Sequence, residues 1–238
     1  MPQNYLKSIT ATLFLTCFVT LNSHAELVAD YFFESNLNSS LVQAPALNSL
    51  ASTPQYQTTS IDGFNKKALI FNAGEGLVLD TSSLISNDEY TIVMLFSISE
   101  IIGYRKLIDF KHRTSDLGLY NNARAIEFYN LERSQQTSIQ PDTFIQLVIS
   151  RSATGETEIY IDQTLELSLM DSIGTGIGII SNNNLLYFFV DDLNTNTEQS
   201  AGAVARISIY DTALNLSEVS QLERLDIIFT DDFEMNAF

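Results

Sequence analysis

Between Phe188 and Asp211 the chain reads FFVDDLNTNTEQSAGAVARISIYD, two strand-like apolar runs around a loop rich in side-chain oxygen. The loop opens on adjacent carboxylates, Asp191 and Asp192, and continues through Asn194, Asn196 and Glu198. Neighbouring side chains point to opposite faces along a strand, but where a strand ends both can turn toward one loop. Calcium takes six to eight oxygen ligands from carboxylates, amide and backbone carbonyls and water, so the loop carries suitable chemistry for one such ion. Asp191, Asp192 and Glu198 are the candidate ligands. The spacing matches no EF-hand loop, and the same residues suit a polar hairpin whose Asp and Asn side chains bond nearby backbone N–H groups.

Other chemistry is scarce. The only Cys is Cys17, and the only His residues are His24 and His112. A zinc site of the Cys/His kind needs three or four such ligands, which excludes it. A Ser-His-Asp triad would have to be built on His112, and no G-x-S-x-G sequence accompanies it. Arg105, Lys106, Lys111 and Arg113 form the one basic concentration. They read as edge-strand charges that block sheet-to-sheet association, or as a receptor for an acidic glycan or an acidic neighbouring copy.

The elements that must position these residues follow from the start of the chain onward. Lys7 is the only charge before Glu26, and ITATLFLTCFVTL (9–21) is apolar but too short to span a bilayer. With Ser23-His24-Ala25 behind it, the start reads as a bacterial signal peptide over 1–25, cleaved after Ala25. A lipoprotein signal ending at Cys17 fits less well, because Thr16 precedes it and Phe18-Val19 continue the apolar run. The expected destination is outside the cell or the periplasm, with no transmembrane segment and no thiol in the mature chain. Twelve Lys and Arg stand against 29 Asp and Glu, a net charge of −17. That balance argues against nucleic acid or an anionic membrane as a partner.

Residues 26–238 make one domain of ordinary size. Alternating runs of β-branched and aromatic residues recur: LVADYFF (27–33), KALIF (67–71), GLVLD (76–80), YTIVMLFSI (90–98), KLIDF (106–110), AIEFY (125–129), FIQLVIS (144–150), ETEIYID (156–162), LLYFFV (185–190) and AVARISIYD (203–211). Turn residues separate them, as in an antiparallel sandwich or jelly roll. ETEIYID predicts Thr157, Ile159 and Ile161 inward, with Glu158, Tyr160 and Asp162 on a wet face. YTIVMLFSI predicts a central strand covered on both sides. Helical spacing of Leu216, Val219 and Leu222 predicts one helix over 216–225, with Ser217 as N-cap. The tail 226–238 is acidic and carries Phe229, Phe233 and Phe238.

In order, these pieces resemble the LamG-like, concanavalin A-like jelly-roll family. LVADYFFESNLNSSL is similar to its opening strand. FNKKALIFNAGEGLVLDTSSLISNDEYTIVMLFSIS is similar to its G-x-A-L-x-F-x-G…V-x-L…F-T-I segment, with Asn65-Lys66-Lys67 departing from the usual Gly and Phe96 near a common Trp. DTFIQLVISRSATGETEIYIDQTLELSL resembles its W-x-H-V-A…L-Y-V-D-G hallmark, with Phe144, Gln146 and Gln163 at the Trp, His and Gly positions. AGAVARISIYDTALNLSEVSQL resembles its closing strand and helix. The resemblance implies an all-β, antiparallel two-sheet jelly-roll sandwich (concanavalin A-like) with a short helix near the C-terminus. It also implies a secreted, non-catalytic recognition module for a glycan or an extracellular protein, with calcium as an assisting ion.

Two alternatives belong to the same scaffold. One is a structural or self-associating extracellular protein without a small ligand; the other is a diverged glycoside hydrolase. The family's glucanases carry a Glu-x-Asp-x-x-Glu strand, whereas Glu156, Glu158 and Asp162 have different spacing. The chain has no Trp for sugar stacking, which leaves Tyr104, Tyr120, Tyr129 and Tyr160 as substitutes.

Overall fold

The computed structural model describes residues 24–51, 53–194 and 197–224. The expected leader up to Ser23 and the acidic tail lie outside them. Fifteen strands and one helical turn follow in chain order: β1 (Leu27–Tyr31), β2 (Asn48–Ser49), β3 (Gln55–Ile61), β4 (Phe64–Phe71), β5 (Leu77–Asp80), β6 (Tyr90–Ile98), β7 (Tyr104–Asp109), β8 (Leu119–Asn122), β9 (Ala125–Phe128), β10 (Glu132–Arg133), β11 (Ile145–Arg151), β12 (Glu156–Ile161), β13 (Thr164–Met170), β14 (Leu185–Phe188), β15 (Gly202–Tyr210) and α1 (Leu216–Val219). They form two antiparallel sheets. One runs β13-β12-β11-β6-β15-β4-β3 with β1 also on β15, and the other runs β10-β9-β8-β7-β14-β5-β2.

The period-two pattern explains the sandwich. Ile92, Met94, Phe96, Leu147, Ile149, Ile159, Ile161, Ile207 and Ile209 from one sheet meet Leu77, Leu79, Leu119, Ile126, Phe128, Leu186 and Phe188 from the other in one core. Burying a side chain of this kind contributes about 1.5–3 kcal/mol, and a disulfide-free domain of this size depends on many of them. β6 is buried along its whole length, as its two apolar faces require. Its outer face meets the segment after β15, where Val93, Val148, Tyr160, Leu214 and Val219 make a second, smaller cluster.

The helix is shorter than its sequence spacing predicts. It covers only Leu216–Val219, and Asn215, not Ser217, is the N-cap. The Asn215 side chain accepts the N–H groups of Ser217 and Glu218, while the Glu218 carboxylate accepts the N–H of Asn215, a complete capping box. So short a helix has no stability of its own and is held by Val219 against the sheet. The same cover buries Tyr160, which the alternation had placed on a wet face.

Tight turns set the strand register. Asp162 and Gln163 both have positive φ, 48° and 66°, so the β12–β13 hairpin turns as an Asp-Gly pair would without using glycine. Residues 171–180 join β13 toward β14 and carry little regular structure. They are organised by Asp171, whose carboxylate accepts the N–H groups of Ile177 and Gly178 at 2.7 and 3.0 Å. Gly176 leaves room for that carboxylate, since a Cβ there would lie 2.2 Å from Asp171 Oδ2.

Candidate functional site

The basic stretch and the acidic loop meet on the outer face of the seven-stranded sheet, and a bulge makes it possible. β7 pairs β8 with a register shift between Lys106 and Ile108. An extra residue in one strand re-aims the side chains that follow, so Lys106 and Asp109 come to one side although three residues apart. The Lys106 ammonium lies 3.3 Å from Asp109 Oδ2 and 3.6 Å from Asp191 Oδ1, with all three side chains fully buried. It also donates to the Ser115 carbonyl at 3.1 Å and sits 5.1 Å from the centre of the Tyr120 ring. β7 is an interior strand of its sheet. The edge-strand reading of the basic stretch is therefore corrected.

The remaining cations scatter. Arg105 pairs with Glu100 at 2.8 Å. Lys111 donates to the carbonyls of Gly176 and Ile179, both at 2.7 Å, and burial lowers its ammonium pKa. Arg113 Nε donates to the Asp191 carbonyl at 2.6 Å. His112 is exposed, with Nδ1 2.9 Å from the Tyr187 hydroxyl.

Asp191 organises the loop. Its Oδ1 accepts the Asp192 N–H at 2.8 Å and faces Lys106, while its Oδ2 accepts the N–H groups of Thr197 and Glu198 at 3.1 and 3.0 Å. A carboxylate has about four lone-pair positions; the three N–H groups use three of them, and the Lys106 ammonium stands 3.6 Å from Oδ1 as an ion-pair partner. Asp192 Oδ1 accepts the Asn194 N–H at 2.6 Å. The oxygens of Asp191 and Asp192 lie within 4.8 Å of each other and of Asp116, from the β7–β8 connection. Glu198 is absent from that group, and its carbonyl instead accepts the Lys106 N–H at 2.9 Å. Sequence reasoning missed Asp116 because it lies 75 positions before Asp191, and it took Lys106 for an edge-strand charge because a bulge is invisible to alternation.

Two carboxyls of this cluster have raised pKa values, with burial the largest cause in both. Burial raises the pKa of Asp109, against the opposing effect of Lys106 and the N–H groups of Arg113 and Lys111. Burial also raises that of Glu198, reinforced by the charges of Asp191 and Asp116 and opposed by Lys106.

Next to this cluster, Tyr104 packs edge to face on Tyr120 and on Tyr129, and Tyr120 and Tyr129 meet at a tilt, with centroids 5.4–5.8 Å apart. Tyr120 is fully buried and donates to the Asp116 carbonyl at 2.8 Å, so it is a support and not a platform. Tyr160 is buried on the other sheet. Tyr104 and Tyr129 stay half-exposed. Asn122 donates to Glu127 Oε2 at 2.6 Å beside them, and Arg133 Nε lies 3.9 Å from the same oxygen. The face thus presents two immobilised rings bordered by an amide, a carboxylate and a guanidinium.

Comparison with known proteins agrees on the sandwich. No protein-family model matches the sequence, and no curated protein matches it. Domain 4 of AbnA, an extracellular GH43 arabinanase from Geobacillus stearothermophilus solved with arabinotriose, superposes with a TM-score of 0.61 at 17% identity, over 82% of this chain and 97% of that one. The botulinum neurotoxin type G receptor-binding domain gives 0.53 at 14% identity, over 81% of this chain and 49% of that one. A mutant Trypanosoma rangeli sialidase gives 0.53 at 16% identity, over 73% and 29%. This chain thus spans nearly all of the arabinanase domain, about half of the neurotoxin domain and less than a third of the sialidase. These identities establish a shared fold.

Proposed function

We propose that the protein is an exported, non-catalytic recognition domain of the LamG-like kind, and that it binds a glycan on the outer face of the seven-stranded sheet. The observation that carries this reading is the half-exposed Tyr104–Tyr129 pair, held rigid by Tyr120 and bordered by Asn122 and Glu127. Ring faces meet the C–H face of a sugar, and adjoining planar polar groups take its hydroxyls. That one structural neighbour was solved with arabinotriose supports the ligand class. The non-catalytic reading is supported by the carboxylates of the 156–162 stretch. Glu156 and Glu158 share a face, whereas Asp162 sits in the hairpin turn and accepts the Gln146 N–H.

Titration of a glycan panel, beginning with arabino-oligosaccharides, tests this. Tyr129→Ala is expected to weaken the best ligand by at least about thirtyfold, the loss of a central aromatic contact of roughly 2 kcal/mol, with the fold kept. A panel without any ligand, or unchanged affinity in Tyr129→Ala and Tyr104→Ala, would remove the reading.

Calcium assistance is a second proposal, favoured by the oxygens of Asp116, Asp191 and Asp192 within 4.8 Å of one another. These residues suit a hard cation by type. Asp116 takes the place given to Glu198 in the sequence. An ion there would offset the negative charge of these carboxylates and position the 191–198 loop. A micromolar site would add about 4 kcal/mol of stability in millimolar calcium. Thermal unfolding in calcium and in EDTA should then differ by several degrees; identical midpoints would dismiss the ion.

A further inference from the structure

A groove of about 520 Å³ lies on the other sheet, away from the tyrosine pair. Its floor is a regular array on the outer face of three neighbouring strands. Ser150 of β11 pairs with Glu158 of β12, which pairs with Ser168 of β13. One step along, Ser152 donates its N–H to the Glu156 carbonyl at 2.9 Å, and Glu156 pairs with Met170. Each carboxylate is thereby set between strands that also carry a hydroxyl or a thioether.

The far wall is the segment 213–215 that leads into α1. Buried hydroxyls fix it to the sheet. Ser150 Oγ donates to the Leu214 carbonyl at 2.7 Å, and Thr91 Oγ1 accepts the Leu214 N–H at 2.8 Å while donating to the Thr212 carbonyl at 2.9 Å. The groove is therefore preformed, as sites for small ligands usually are.

Its chemistry is one-sided. No Lys, Arg or His lines it, and neither Glu156 nor Glu158 has an ion-pair partner among the described residues. Glu158 Oε2 accepts the Tyr160 hydroxyl at 2.5 Å, which fixes its orientation. Met170, 61% exposed, supplies an apolar surface at the edge. Paired carboxylates repel an acidic ligand and favour an ammonium group, the serines suit hydroxyl groups, and the thioether suits an aliphatic ring face.

We propose that this groove is a second saccharide site, one that takes a sugar unit bearing a protonated amine. The amine sits between Glu156 and Glu158, the hydroxyls reach Ser152 and Ser168, and the ring rests against Met170. The cavity is large enough for a unit or two of such a chain and is separate from the tyrosine face, so either site can exist without the other.

Calorimetric titration of the mature protein in mildly acidic buffer with a β-1,4-linked glucosamine oligosaccharide tests it, with the fully N-acetylated oligosaccharide and a lysine oligomer as comparisons. The glucosamine chain is expected to bind, and the acetylated chain to bind at least about tenfold more weakly, the worth of one charge-assisted contact. Glu156→Gln/Glu158→Gln should lose a similar factor, and Met170→Lys, at an exposed position that tolerates change, should abolish binding. Tyr129→Ala should leave it unchanged, which separates this site from the one on the other sheet. The proposal is overturned by equal binding of the acetylated chain, by binding of the lysine oligomer alone, by unchanged affinity in Met170→Lys, or by no binding of the glucosamine chain.

Discussion

Replacing Arg151 by methionine is expected to destabilise the domain by about 3–5 kcal/mol, the usual cost of removing one partner from a buried ion pair. Arg151 is fully buried, and its Nε lies 3.0 Å from Asp171 Oδ2. Its other nitrogens donate to the carbonyls of Asp88, Ser152 and Ser172, so one side chain ties the end of β11 to the start of β6 and to the segment after β13. Methionine fills most of the volume but leaves Asp171, 1% exposed, without its ion-pair partner. Those three carbonyls lose a donor as well. Chemical denaturation of the variant measures the loss. Arg151→Met/Asp171→Asn should recover part of it, because an amide has no charge to leave stranded and its one oxygen can still accept from either Ile177 or Gly178. A loss below about 1 kcal/mol would mean that water enters and that the pair contributes only as an exposed one does.

The second large effect is expected at Lys106. Lys106→Met removes the only ammonium placed between Asp109 and Asp191, again for about 3–5 kcal/mol. This loss should depend on pH, with a sign that follows from the two raised carboxyls. A carboxyl whose folded-state pKa lies above its unfolded value contributes stability at acid pH, and that contribution disappears as the pH rises through the folded value. Asp109 and Glu198 are already raised, and Lys106 opposes the rise in both. Without Lys106 both should move further up. The variant's deficit is therefore expected to be smallest in acid, where the carboxyls are neutral, and to grow toward neutral pH. Denaturation at a series of pH values measures it, and a deficit independent of pH would contradict the account. Because Asp191 also gathers the N–H groups of Asp192, Thr197 and Glu198, the same variant should loosen the loop beside the tyrosine pair.

How much was legible in the residues differs from one element to the next. β6 could be read directly, because nine residues with two apolar faces have one sensible place, the middle of a covered sheet. β12 could be read halfway. The inward side of Thr157, Ile159 and Ile161 follows from alternation, but the burial of Tyr160 depends on Leu214 and Val219, more than fifty residues later. α1 was placed correctly and bounded poorly. The apolar spacing continues past Val219, yet the turns end there, and Asn215 competes with Ser217 for a capping role that local sequence does not decide between. Asp191 and Asp192 are adjacent in the sequence and could be singled out there as candidate ligands with Glu198, but the residues the structure brings to them, Lys106 and Asp116, come from another strand and its connection.

Local chemistry therefore determined the class of fold. Side-chain alternation and turn residues act over a few positions, and they sufficed to specify short antiparallel strands and two sheets. Tertiary structure decided everything that depends on which distant groups share a volume. It turned a basic stretch into a buried counter-charge, two of four tyrosines into an accessible pair, and two strand carboxylates into the floor of a groove. The physical reason is that solvent exclusion belongs to the assembled sandwich: a charge, ring or hydroxyl acquires its role only when another segment removes water from one side of it.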